Sequence, residues 1–597
     1  MLKKYSKLSA IIALLLIGIV KVKAQESLPI YMTDEELKQM PFINHNYNTG
    51  RSITNPPTLP IRTAGEWEEV QTLLITWTGF TNILTQIVDA AQEECEVLIT
   101  CADSNQVKST LTTASVPLTN VKYLEVGLNS IWQRDYSAHT AYLNDVDSLV
   151  MTEWIYNRPT RPLDDAMPVE QMNYKGITLY STTQAPNDLV NTGGNWMVDG
   201  FGTAFASNLI IEENQAGNQY GVTAKTEAQI DTIVKRFHGI TRYIKMDALP
   251  YDGINHIDMH MKLLDEETLL VGEFPTGISD GPQIEANLQY VLSNFNSVYG
   301  TPYKVIRIPM PPSTSGAYPG SPFGNGSYRT YSNNVFINKT VLVPYYRQQY
   351  DTTAERILKS ALPGYKIIGI DCDNSGNNII SQSGAIHCIT NTIGVNNPLL
   401  ISHQALPNTN DSANPYQVDA LIKHRSGIAN ASVYYTIDTT AGYQSVPMSL
   451  TNASTDTWTG FIPAQAGGST VYYYIDANAN SGKHQVRPIT APQGYWKFNV
   501  GFTTSITSIA SNFEIKDIFP NPGSALSCIP VKSNINTQLN VSLYDVTGRL
   551  VKQIFNNEIA VGDRNLFINC AEFEAGIYNV VFITNDAQYA KKLCIKK

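Results

Sequence analysis

The chain has 597 residues, too long for one hydrophobic core, so about two to four domains are expected. Hydrophobic residues at 43% exclude a disordered chain, while 16% charged residues, below the roughly 25% usual in soluble domains, together with 33 Tyr fit a β-rich exported protein. The net charge is −10, and −15 without the first 24 residues and their five Lys, which excludes nucleic acid as the main partner but leaves room for a local cationic pocket.

Residues 1–24 read as an export signal. Lys3, Lys4 and Lys7 form the positive start, Leu8 to Val20 an apolar run of 13 residues, and Val22-Lys23-Ala24 the cleavage point. The run is short of the roughly 20 residues a membrane span needs. Residues 25–64, polar and ending in Pro56-Pro57 and Pro60, read as a lead-in or propeptide without a core.

From 65 to 405 the pattern alternates helix and strand. Thr72 to Thr76 is β-branched and apolar; Ile83, Leu84, Ile87, Val88 and Ala91 follow helical spacing; Cys95 to Cys101 reads as a strand. The same passage recurs at Val107 to Val126, Ile230 to Ile244, Ile284 to Ile308 and Ala354 to Ile370. Hairpins at Met259 to Val271 and Val335 to Pro344 lie between them, so recurring ββαβ units are expected, with an ordinary α/β sheet as the alternative. From 406 to 501 the helical period disappears, and short strands at 432–436, 458–462, 470–475 and 496–500 predict a β-sandwich. Residues 502–512, rich in Thr and Ser, read as a linker.

The last module, 513–597, holds Phe519-Pro520-Asn521-Pro522, Leu543 to Arg549, Gly576-Ile577-Tyr578 and a basic end. It resembles the C-terminal sorting domain of the type IX secretion system. The resemblance implies that machinery as a partner, passage across an outer membrane, and in many cases surface anchoring and removal of the tail. A generic β-sandwich binding module is the bland alternative.

The chemistry-bearing segments are four. In Asn255-His256-Ile257-Asp258, a strand would put the imidazole and the carboxylate on one side. Trp132-Gln133-Arg134-Asp135 sets an acid after an aromatic; Gly193-Gly194-Asn195-Trp196 is a glycine turn that lets backbone approach something closely; Ile386-His387-Cys388-Ile389-Thr390 places a Cys late in the α/β region. Each alone is as readily structural. The odd number of cysteines, seven, leaves at least one thiol unpaired, and none has the CxxC spacing of a zinc site.

Together, in this order and spacing over about 65–400, these segments resemble the guanidine-modifying family of bacterial peptidylarginine deiminases and agmatine deiminases. The resemblance implies the pentein fold, a five-bladed α/β propeller, followed here by an Ig-like domain and the sorting domain. It implies Cys388 as nucleophile, if its surroundings lower its pKa, and His256 as general acid and base. Asp135 and Asp258 would fork the guanidinium, and Asn333 would orient the thiol or substrate. Trp132, Gly194, Asn195 and Ile254 would line the substrate site, and Arg158 and Arg161 would grip the carboxylate of a C-terminal arginine. No metal or cofactor is required.

The expected activity is hydrolysis of peptidyl arginine, on peptide or protein substrates, to citrulline and ammonia through a thiouronium. Gly253, Ile389 and Asn391 depart toward the agmatine-type pattern, so an agmatine or small-guanidine deiminase is the first alternative. A cysteine amide hydrolase and a catalytically inactive surface binding protein are the others.

Overall fold

A computed structural model describes residues 28–43, 45, 52–275, 277–320, 327–501, 513–584 and 588–597. The export signal at 1–24 and the linker at 502–512 lie outside the described residues. Among those described, no helix is long and apolar enough to cross a membrane.

One architectural unit recurs between Ile61 and Gly394: two antiparallel strands, a helix, and a third strand parallel to the second. Met261–Leu263 pairs with Thr268–Glu273, the helix Gly281–Asn294 follows, and Lys304–Pro309 returns parallel to Thr268–Glu273. Val335–Ile337, Thr340–Tyr345, the helix Gln348–Ala361 and Lys366–Asp371 repeat it. So do Met197–Val198, Thr203–Ser207, the helix Glu227–His238 and Arg242–Met246. His139–Leu143 and Ser148–Tyr156 precede the helix Met167–Lys175 and the strand Thr178–Thr182.

The remaining sheet is built from both ends of the region. Thr390–Gly394 pairs antiparallel with Val70–Thr76, which pairs parallel with Glu96–Cys101 across the helix Thr81–Ala91. The first and last parts of the α/β region are thus stitched together, and five separate sheets stand in this stretch.

Local sequence explains these elements. In Thr81–Ala91 the buried Ile83, Leu84, Ile87 and Val88 recur at helical spacing and face the main core. Thr226 and Gln229 form a capping box that starts Glu227–His238. Gly239 ends that helix at φ 73°, and a Cβ there would lie 1.8 Å from the Ile61 carbonyl oxygen, so only glycine fits.

The chain divides into two compact units. The first joins the α/β region to residues 415–463 and 471–497. Its β part runs in the spatial order Leu400–Ser402, Tyr416–Lys423, Thr457–Ile462, Gln444–Asn452, Ile428–Thr436, Thr470–Ala479, His484–Arg487, all antiparallel. Strands at 416–423, 444–452 and 484–487 go beyond those the sequence analysis names; the last two are mostly polar and at least partly exposed, whereas the first alternates buried Tyr416, Val418, Ala420 and Ile422 with more exposed neighbours. Lys483 to Glu69 (2.6 Å) and Arg487 to Glu266 (3.1 Å) tie this β part to the α/β region.

The second unit carries the C-terminal residues. Phe513–Ile515, Leu526–Ser533 and Gly562–Asn569 form one sheet, and Leu550–Ile559, Thr537–Tyr544, Gly576–Thr584 and Gln588–Ile595 another. Ile529, Leu539, Val541, Leu543, Val580, Phe582 and Leu593 are fully buried in a core of their own. All seven cysteines are free thiols.

Candidate active site

Corresponding strands of the five sheets carry the chemistry-bearing residues just ahead of their first residue. Asp135, in the short helix Gln133–Tyr136, precedes His139–Leu143, and the turn Gly193–Asn195 precedes Met197–Val198. His256 and the turn Ile257–Met259 precede Met261–Leu263. Asn333 precedes Val335–Ile337, and Cys388 precedes Thr390–Gly394. The fold repeat gathers residues far apart in sequence.

His256 and Asp258 are not on a strand. Asn255 adopts φ 57°, and a 3-10 turn follows His256. Both side chains nevertheless reach the same cluster, because the tight turn replaces the alternation that a strand would have used. His256 Nδ1 stands 3.7 Å from Asp135 Oδ1, and its backbone N–H donates to Asp252 at 3.0 Å. Asp258 Oδ2 is 3.6 Å from Cys388 Sγ. Asn333 Nδ2 donates to Cys388 Sγ at 3.2 Å, and its Oδ1 accepts the His387 N–H at 3.0 Å. Gly194 N–H donates to Asp135 at 3.3 Å, and a Cβ at Gly194 would lie 2.3 Å from His256 Nδ1.

All these groups are buried, none of the five residues more than 5% exposed. Asp135 Oδ2, Asp258 Oδ1 and both ring nitrogens of His256 have no hydrogen-bond partner among the described residues. Two buried carboxylate oxygens without protein donors suit a ligand that brings N–H groups and positive charge.

The electrostatics follow from burial. Burial, then the Asp258 charge, pushes the Asp135 carboxyl up to about 7. Burial pushes His256 down to about 4. Burial opposes ionisation of Asp258, yet the His387 hydrogen bond and charge hold it below its usual range. The Cys388 thiol is pushed well up by burial, with Asp258 and Asp135 adding to it. The condition set by the sequence reading, a thiol pKa lowered by its surroundings, is not met by the protein groups alone, because burial and then the two acids raise it.

Sequence reading missed the support behind Asp258. His387 Nδ1 bonds Asp258 Oδ2 at 2.7 Å and its Nε2 bonds Glu66 Oε1 at 2.8 Å. Glu66 also pairs with Lys262 at 2.6 Å and Arg134 at 3.4 Å. His387 was visible beside Cys388, but Glu66, far upstream in Gly65-Glu66-Trp67, carried no local signal.

The proposed substrate-lining residues differ in placement. Trp132 is fully buried; its ring and Cys388 Cβ flank Gly384, where a Cβ would lie 2.4 and 3.1 Å from them. Asn195 instead ties its turn to Ser207, accepting its N–H at 2.7 Å. Ile254 is buried, its N–H held by Asp252 at 3.1 Å. Arg158 Nε donates to the Ile30 carbonyl at 2.8 Å. Arg161 holds Glu36 through Nε at 2.8 Å and Nη2 at 3.0 Å. Among the described residues no group of three or more His, Cys, Asp or Glu is placed to hold a metal.

An α/β fold that gathers a thiol, an imidazole and two acids around donor-seeking oxygens is that of a hydrolase acting on the C–N bonds of a guanidine group. The family model described as Porphyromonas-type peptidyl-arginine deiminase matches residues 62–393, more than half of the chain. The chain belongs to that family. A second model, a secretion system C-terminal sorting domain, matches residues 517–596 and marks the protein for export by the type IX route, secreted or attached to the cell surface.

Similar curated proteins include a putative agmatine deiminase of Marinomonas sp. (strain MWYL1), 24% identical over 46% of this chain and 76% of its own length. The agmatine deiminase of Pseudomonas syringae pv. tomato is 24% identical over 46% and 78%. Among solved structures, the putative arginine deiminase from Porphyromonas gingivalis is 20% identical, covers 56% of this chain and 98% of its own, and has a TM-score of 0.48. For the agmatine deiminase of Enterococcus faecalis these values are 17%, 57%, 99% and 0.48.

Proposed function

We propose that this protein hydrolyses the guanidinium group of peptidyl arginine, preferring a C-terminal one, to a ureido group and ammonia. The observation that carries the proposal is the set of unpartnered oxygens on Asp135 and Asp258 beside the Cys388 sulfur. A planar guanidinium offers donors in a fork that two carboxylates can accept. The five sheets are read as the five blades of a propeller, with the site on the strand ends at its axis, and the β part at 406–501 as an Ig-like domain.

The substrate cation supplies what the resting site lacks. Placed between the two acids, it cancels the charges that hold the thiol neutral. Cys388 then passes its proton to neutral His256, and the thiolate forms a bond to the central guanidine carbon. The protonated imidazole hands that proton to one amino group, which leaves as ammonia and generates the thiouronium. Water then adds to the carbon while His256 accepts its proton. The C–S bond breaks as the sulfur takes the proton held by His256, which restores thiol and neutral imidazole. The adduct's O–H proton is lost to the released ammonia, which becomes ammonium, and the ureido product leaves. Asn333 holds the sulfur in line, and the His387–Glu66 pair keeps Asp258 ionised and oriented.

The second reading is an agmatine-type enzyme, favoured by the names of the similar proteins. Two buried arginines against carboxylate and carbonyl oxygens favour a carboxylate-bearing substrate instead. A colour assay for ureido products on agmatine, free arginine and a peptide ending in Arg decides between them; preference for agmatine overturns the proposal. Arg161→Ala is expected to shift the kcat/KM ratio of peptide to agmatine at least tenfold toward agmatine.

A further inference from the structure

The chain's own residues 28–36 bond to segments that adjoin this site. Leu28 O accepts the Trp132 indole N–H at 2.8 Å, and Trp132 in turn sits against Gly384 and Cys388. Ile30 N–H donates to Gln382 O at 3.1 Å, on the loop leading to Cys388. Ile30 O accepts from Arg158 at 2.8 Å, and Tyr31 O from Arg161 Nη2 at 2.9 Å. The Ile30 side chain is fully buried in the same core as Trp132 and Cys388. The segment thus bonds to Trp132 (which packs beside Cys388 at Gly384), to the loop before Cys388 and to both arginines.

Its charge chemistry is as specific as its course. Thr33 caps the helix Asp34–Gln39. One turn in, the Glu36 carboxylate takes both Arg161 nitrogens in a fork, at 2.8 and 3.0 Å. It also accepts from Thr160 Oγ1 at 2.9 Å and from the Thr33 N–H at 2.8 Å. Burial works against the ionised carboxyl, yet the Arg161 pair holds it down at about 2, so this ion pair persists at neutral pH. A bidentate pair of this kind fits any carboxylate, including the α-carboxylate of a C-terminal arginine.

A permanent brace would be the bland explanation. It does not account for a site whose Cys388, His256, Asp135 and Asp258 are at most 5% exposed while their polar atoms want partners. A substrate needs these buried groups uncovered, and the segment bonded to the two arginines and to Trp132 is the candidate for departure.

We propose that residues 28–40 are an inhibitory strap, with Glu36 occupying the place of the substrate's carboxylate, and that turnover requires the strap to be displaced or removed. This rests on the deiminase reading above. The cognate partner of the Arg158–Arg161 subsite is therefore an occupant in cis, which a peptide carboxylate must outcompete.

The test compares the full chain with Glu36→Gln and, as a second variant away from the arginines, Thr33→Ala, on a peptide ending in free Arg. Both variants are expected to raise kcat/KM at least tenfold, mainly through KM, at unchanged Tm. Equal or lower kcat/KM in both overturns the strap. If no chain acts on any guanidine, the deiminase reading has failed, and hydrogen exchange on the full-length Cys388→Ala chain decides the strap. Faster exchange of the amides of 30–37, by at least tenfold with the peptide acid added, supports it. Unchanged exchange at the highest peptide concentration overturns it.

Discussion

Cys388 rests as a thiol, and that single fact shapes the expected behaviour of the site. Burial, with two acids nearby, raises its pKa, and in the proposed mechanism the proton leaves when the substrate cation arrives. Cys388→Ala is expected to lower turnover at least a thousandfold in the ureido assay while leaving Tm within a few degrees, because one buried sulfur is a small packing loss. Asp135 has the opposite character. Its folded pKa, about 7, lies above its unfolded value, so its contribution to stability is complete below about 3.8 and disappears as pH rises through about 7. Asp135→Asn is therefore expected to raise stability at pH 8 by about 1 kcal/mol or more relative to pH 4. Denaturation at the two pH values checks this, and activity should fall at least a hundredfold in the same variant. His256, held down at about 4, works the other way: stability is complete above its unfolded value and disappears as pH falls through about 4. Cys388, His256, Asp135 and Asp258 were legible in the sequence as residue types in a recognisable order. Their resting protonation was not, because desolvation depends on every atom packed around them.

Among the elements, the turns matter more than the strands. The glycine pair at 193–194 separates two consequences that a turn signal alone cannot. A Cβ at Gly193 would lie 2.0 Å from the Arg134 carbonyl oxygen, a backbone atom that cannot rotate away. A Cβ at Gly194 meets the His256 ring, which can. Gly193→Ala is expected to lower Tm by many degrees. Gly194→Ala should keep most of its stability and lose at least tenfold in kcat, read from Tm and kcat side by side. The helix-then-strand passages were legible because one buried stripe and one apolar run leave strong periodicities. The turn at 257–259 was not read from the sequence, which considered only what a strand would do there, since in so short a stretch a period of two and a 3-10 turn look alike. Glu66 escaped notice because the bond that gives it meaning spans most of the catalytic region.

For the molecule as a whole, the two ends of the α/β region meet in one sheet, Val70–Thr76 against Thr390–Gly394, so the residue before that last strand is placed only when the region is complete. The β part beyond it holds the segment carrying Glu66 from behind, through Lys483 on Glu69. Lys483→Ala is expected to lower kcat modestly, about twofold to fivefold, with a Tm loss of a few degrees, since a partly exposed ion pair contributes roughly 1 kcal/mol or less. A chain shortened to residue 501 should keep full turnover when made inside a cell and fail to reach the surface, checked by assaying cell and medium fractions. Export, the order of modules and the class of chemistry were determined by the sequence alone, because composition, short motifs and periodicity are local properties. Which oxygens face the sulfur, which protons the groups hold, and what already sits on Arg158 and Arg161 were decided by the tertiary structure, because burial and contact exist only once distant segments have closed on one another.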